Sequence, residues 1–393
     1  MKSFVTGLIC LFSFFVGAAA QAKVDRPPQY VVFAFDGSKS VPMWNETRAF
    51  AKAQTASGKP VKFTYFINAA YYLAQNYRAE YNAPGLGPGK SAIGFGGQVD
   101  DVIARFKQTN LARSENNEIA NHAAGHFDGS KWTQLEWHSE FAQFYDILFN
   151  VLQFNHVEQG LANELGKLWM FNKDSMIGFR APQLGTDQAM YAELPQWGIQ
   201  YDTSGTAAPN LWPRRNSQGL WSFPLAEITV AGTNRKTLSM DYNFYYFHTK
   251  GKEDPSHAKQ YENQMYDSYV NYFFNNYNGN RAPLNIGHHF SKWNGGAYWA
   301  AEQRFIRLVC GLPEVKCVTY EELIGVMNTM ERGKLLASYQ AGDFDKTQYA
   351  RPANQSQPSI LASLAASFSD VSTDQAVDED ALLIADPPEA HDE

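Results

Sequence analysis

Glu118-Ile119-Ala120-Asn121-His122-Ala123-Ala124-Gly125-His126 is the stretch on which the fold turns. A short apolar run leads straight into two histidines four residues apart. Apolar runs broken at once by polar residues are the pattern of buried strands whose ends open into a cleft. On a helical turn, a spacing of four puts two side chains on one face. His122 and His126 are therefore expected to open a helix and to offer both imidazoles to one metal ion. With nine His in the chain such a pair arises by chance fairly often, so its position after a strand is what gives it weight.

The same pattern extends in both directions. Runs at 30–35, 61–68, 118–121, 176–179, 225–230 and 284–287 read as strands, and segments at 44–54, 98–109, 130–154, 187–197, 258–275 and 297–308 read as helices. Such alternation predicts parallel strands covered by helices, an α/β fold with its chemistry at the strand ends. No internal repeat is evident.

Four further segments stand at or near those strand ends: Phe33-Ala34-Phe35-Asp36-Gly37, Gly178-Phe179-Arg180-Ala181-Pro182, Tyr201-Asp202-Thr203-Ser204, and Ala282-Pro283-Leu284-Asn285-Ile286-Gly287-His288-His289. Together with the His122/His126 pair, and in this order, they resemble the motifs of the polysaccharide deacetylases. That is carbohydrate esterase family four, the NodB-homology family, and the resemblance is to its chitin-deacetylase-like and peptidoglycan N-deacetylase branch. The resemblance spans most of residues 30–330. It implies a distorted or incomplete (β/α) barrel, a bound divalent metal that is often zinc, and hydrolysis of N-acetyl groups on amino-sugar polymers.

Residue by residue, the resemblance makes His122 and His126 metal ligands and Asp36 the general base that takes a proton from water. Arg180 would pair with the base carboxylate and keep it ionised. The backbone N–H of Gln183 would help stabilise the oxyanion. His289 would be the acid that protonates the departing amine, with Asp202 holding its imidazole. His288 competes for that role, because alternation from Leu284 and Ile286 puts His288 on their face. The chain departs from the pattern at Gly37, where the family carries a second, metal-ligating Asp. Asp36 could then become a ligand itself, and the residues alone leave both roles open.

The N-terminus has the layout of an export signal: Lys2, an apolar stretch from Phe4 to Ala20, then Ala20-Gln21-Ala22. Cleavage after Ala22 is expected, with no stable membrane span afterwards and a periplasmic or secreted product. Cys10 would leave with residues 1–22, and Cys310 and Cys317 would then be placed to form a disulfide, though two reduced cysteines would also fit. One domain is expected over residues 23–336. Residues 337–393 read as a flexible acidic tail, since no Lys or Arg follows Arg351 and all the charges from Asp370 to Glu393 are acidic.

A net charge of -7 gives no basic surface for nucleic acid, whereas 44% hydrophobic and 15% aromatic content is ample for a large core. A monomer is expected. Trp44, Trp212, Trp221 and Trp293 lie near the motifs and are candidates for stacking on sugars. Export favours peptidoglycan over chitin or an exopolysaccharide as substrate. Two rivals stand beside this reading. One is a carbohydrate-binding protein that keeps the fold with weakened turnover, and the other is a metal-free glycosidase with paired carboxylates.

Overall fold

The computed structural model describes residues 24–345. The export signal expected over residues 1–22 and most of the tail expected over 337–393 lie outside the described residues. Among those described, no helix is long and apolar enough to cross a membrane.

Strand Gln29–Asp36 is buried along its whole length, because it is covered on both faces, as the continuous run Val31-Val32-Phe33-Ala34-Phe35 requires. It pairs in parallel with Phe63–Ile67 on one side and Leu284–His289 on the other. Parallel pairing continues through Glu118–Asn121, Gly178–Phe179, Tyr201–Asp202 and Trp221–Ser222. The chain then enters a small second sheet, where Leu225–Thr229 pairs antiparallel with Lys236–Leu238. Just beyond, Met240 bridges Gly287 in parallel and Gly287 N–H donates to the Ser239 carbonyl at 2.9 Å. The sheet thus curls back to the strand beside its start through one isolated bridge, which is the distorted, incomplete (β/α) barrel expected.

Strand alternation sorts the side chains. Val31, Phe33, Phe35, Phe63, Tyr65, Leu284 and Ile286 face the helices, including Val41–Ala56, Ala258–Tyr277 and Trp293–Val309, in the largest apolar cluster. Val32, Ala34, Phe66, Ala120, Tyr201 and Phe223 occupy the opposite face, which Tyr320, Leu323 and Met327 of helix Tyr320–Arg332 fill.

Glu118 sits on that inner face with no exposure. It accepts from Thr64 Oγ1 at 2.8 Å, Tyr201 Oη at 2.8 Å and the Glu321 N–H at 3.0 Å. Burial outweighs these donors and pushes its carboxyl up from 4.5 to about 7. Below about pH 4.5 the group is protonated whether the chain is folded or unfolded. Between there and pH 7 the unfolded chain gives up its proton first, so stability falls by on the order of 3 kcal/mol and then levels off. Glu118→Gln should remove this loss. Urea unfolding at pH 5 and pH 8 checks it: equal differences between the two pH values in wild type and variant would sink the assignment.

The packed chain continues past Leu336, where the sequence reading ended the domain. Helix Leu335–Ala341 follows, Tyr339 is buried and stacks on Trp212, and buried Phe344 bridges Val24 in parallel. The rings of Tyr339 and Phe344 give this segment the buried apolar area that packs it on the domain. Cys310 and Cys317 form a disulfide with Cα atoms 5.7 Å apart. It ties the end of helix Trp293–Val309 to strand Val315–Val318, which pairs with Gln29–Asp36.

Candidate active site

Asp36 ends its strand directly opposite His289 in the parallel register, and both are buried. Arg180 Nη1 donates to Asp36 Oδ1 at 2.8 Å, Nε to Thr203 Oγ1 at 2.6 Å and Nη2 to Tyr320 Oη at 3.3 Å. The guanidinium lies 4.5 Å from the centre of the Phe66 ring. A fully buried cation held this way makes a fixed fork of donors that orients the Asp36 carboxylate. Gly287 makes room for it, since a Cβ there would stand 3.3 Å from Arg180 Nη1 and 2.6 Å from Met240 Cε. The other oxygen of Asp36, Oδ2, is buried without a hydrogen-bond partner.

His122 and His126 are brought together, but not on a helix. Residues 122–126 form a loop in which Ala123 and His126 have φ of 58° and 59°. The cause is Glu140 of helix Gln134–Phe149. Its Oε1 accepts the N–H groups of Ala124 and Gly125 at 2.8 Å each, and its Oε2 accepts Tyr81 Oη at 2.7 Å. A Cβ at Gly125 would come within 2.3 Å of that hydroxyl. The loop nevertheless sets the two imidazole centres 4.9 Å apart at 77°. His122 Nδ1 donates to the Arg180 carbonyl at 2.7 Å, which leaves the lone pair on Nε2, the tautomer a metal ligand needs.

For a divalent metal the fit is partial. The tautomer of His122, its neighbour His126 and the open Oδ2 of Asp36 suit such an ion. Yet among the described residues no group of three His, Cys, Asp or Glu side chains is placed to hold one, and catalytic zinc sites carry three protein ligands. Gly37 is the reason the sequence offers. Its φ of 75° is left-handed, where glycine sits freely and an aspartate costs roughly 1 kcal/mol.

The partner expected for His289 is not the one found. Asp202 stands in register with Phe179 and so shares its face, which turns toward Trp137 and Phe141 in the helix layer. There it accepts from Ser204 Oγ and from Tyr191 Oη, and burial raises its carboxyl to about 6. Asp241 takes the place instead. Its Oδ1 accepts from His289 Nδ1 at 2.6 Å and its Oδ2 from the His289 N–H at 2.9 Å. Burial alone would raise Asp241, but the two neighbouring imidazoles and these bonds hold it below the ordinary carboxylate value. Sequence reasoning passed over Asp241. The available signal was an acid at the start of a helix right after the short run Thr237-Leu238-Ser239-Met240.

His288 points the other way, toward Phe35 and Tyr269 in the helix layer. It does lie on the face of Leu284 and Ile286, and that face is away from Asp36. Gln183 and Leu184 take φ of 56° and 53°, so the Ala181–Gly185 turn is tight, and the Gln183 side chain reaches the His126 carbonyl at 3.4 Å. Trp44, Trp212 and Trp221 are core residues, 0 to 2% exposed. Trp293 differs: it packs 5.3 Å from His289 and lines a cleft of about 750 Å³ with Lys39, Gly97, Phe290 and Lys292.

No family model matches this chain, and no curated protein does. Solved structures to which it is similar include one from Mycobacterium smegmatis assigned as a polysaccharide deacetylase, 15% identical, covering 84% of this chain and 98% of that one at a TM-score of 0.46. A peptidoglycan deacetylase from Bacillus subtilis is 11% identical, with 80% and 99% covered and a TM-score of 0.38. A pseudoenzyme of carbohydrate esterase family four from Bacillus anthracis is 8% identical, with 73% and 61% covered and a TM-score of 0.36. At such identities the chemistry is carried by this chain's own residues.

Proposed function

We propose that this chain belongs to the polysaccharide deacetylases and hydrolyses N-acetyl groups on amino sugars of an exported polymer, with peptidoglycan first. The observation that carries the reading is the facing pair Asp36 and His289, each with its own buried, oppositely charged or hydrogen-bonding partner. Two proton-transfer groups whose surroundings differ in this way suit an acid and a base on either side of one scissile bond. Asp36, oriented by Arg180, takes the proton of the attacking water. His289, steadied by Asp241, gives a proton to the departing amine. The Gln183 N–H would stabilise the developing oxyanion.

A divalent ion, zinc by preference, would be held by His122 and His126, and when bound it would polarise the water and the acetyl carbonyl. The wall polymer is put first because of the export signal expected at the N-terminus. Acetate release from purified peptidoglycan, with and without a chelator, tests the reading, and a chain that releases none from any N-acetylated glycan would end it.

His122→Ala and His126→Ala should each lose bound metal while the barrel stays folded, since the apolar clusters do not depend on the ion. Elemental analysis beside circular dichroism measures this. Stoichiometric zinc in either variant would mean that the ligands lie elsewhere. The missing carboxylate at Gly37 favours one second reading, a glycan-binding protein of this fold with weakened turnover. Glycan binding without acetate release would decide for it.

A further inference from the structure

The polar cluster around Asp241 extends into the helix layer. Asp241 Oδ2 is 3.7 Å from His288 Nδ1, and the same nitrogen is 3.3 Å from Oε2 of Glu302 on helix Trp293–Val309. His288 Nε2 stands 3.3 Å from Tyr269 Oη. Glu302 has no exposure, and neither of its oxygens makes a hydrogen bond of ordinary geometry. An isolated carboxylate in such a place is costly, and an apolar side chain would pack there at less expense. The imidazole that Glu302 faces, His288, is also one of the two beside Asp241.

We propose that Glu302 and His288 share one proton behind Asp241 and act as positioning residues, moving it as His289 gives its own proton up. This rests on the reading of His289 as proton donor. While His289 is an imidazolium, its charge balances Asp241, and the pair behind is a carboxylic acid and a neutral imidazole. Burial, which raises the Glu302 carboxyl and brings His288 down to about 4, matches that resting state. Once His289 has protonated the amine, the O–H bond of Glu302 breaks and an N–H bond forms at His288 Nδ1. A carboxylate and an imidazolium result, with the new cation beside Asp241 Oδ2. No proton enters or leaves the pair, and Asp241 stays ionised and in place. Among the described residues, the other titratable groups coupled to this cluster include Tyr269 from helix Ala258–Tyr277, Tyr65 from strand Phe63–Ile67 and Tyr298 from helix Trp293–Val309.

Glu302→Gln keeps the shape and removes the transferable proton. In the full chain it should lower kcat on the order of ten-fold with KM unchanged and move the pH limb governed by His289 upward. His288→Asn should do the same, and the double variant should be no worse than either single one, with circular dichroism confirming that each is folded. An unchanged kcat and pH profile in Glu302→Gln, or losses that multiply in the double variant, would overturn the proposal. Should wild type release no acetate, the hydrolase reading fails separately. The ¹⁵N NMR titration of His289 then still decides: a higher titration in Glu302→Gln supports the pair, and an identical one refutes it.

Discussion

Asp36→Asn should cut acetate release by about two to four orders of magnitude, the contribution of a positioned general base, and should leave any bound metal in place. The amide keeps the size of the carboxylate and can still accept from Arg180 at the position of Oδ1, now held at 2.8 Å. What it cannot do is take a proton. Removing the negative charge also takes the Asp36 carboxylate from the buried Arg180 guanidinium, 0% exposed, so a lower melting temperature should accompany the loss. Metal content and acetate rate measured on one preparation separate the two roles left open by Gly37. Loss of both together would make Asp36 a ligand, and retention of both would remove it from the chemistry altogether.

The second large effect separates two aspartates. Asp241→Asn should lower kcat by on the order of a hundred-fold or more, because an amide can neither balance an imidazolium nor fix the His289 tautomer as a carboxylate does. Asp202→Asn should leave kcat little changed, since that side chain is turned into the helix layer with Ser204 and Tyr191. Steady-state kinetics on one soluble N-acetylated oligosaccharide compares the two. A severe loss in Asp202→Asn with a mild one in Asp241→Asn would restore the pairing inferred from the sequence and contradict the register in which Asp202 stands beside Phe179.

The sequence by itself determined the main strands, to within a few residues, since each is a short apolar run that only burial between a sheet and helices can satisfy. It also determined that polar residues gather at the strand ends, and that Leu284, Ile286 and His288 share one face, because strand alternation is a local rule. That Gly37 stands where the resembled family carries a second Asp was legible only through that resemblance. Tertiary structure decided which residues meet. His289 and Asp241 are 48 residues apart and touch because Met240 bridges Gly287 across the gap in the barrel. Whether the face shared by Leu284 and His288 was the site or the helix layer depended on which side the helices cover, a property of the whole sheet. The loop at 122–126 is bent rather than helical because the Glu140 carboxylate, from the next helix, captures two of its N–H groups. Periodicity fixes the side of a strand on which a residue lies, but register and crossovers, set by packing between distant segments, fix what it faces there.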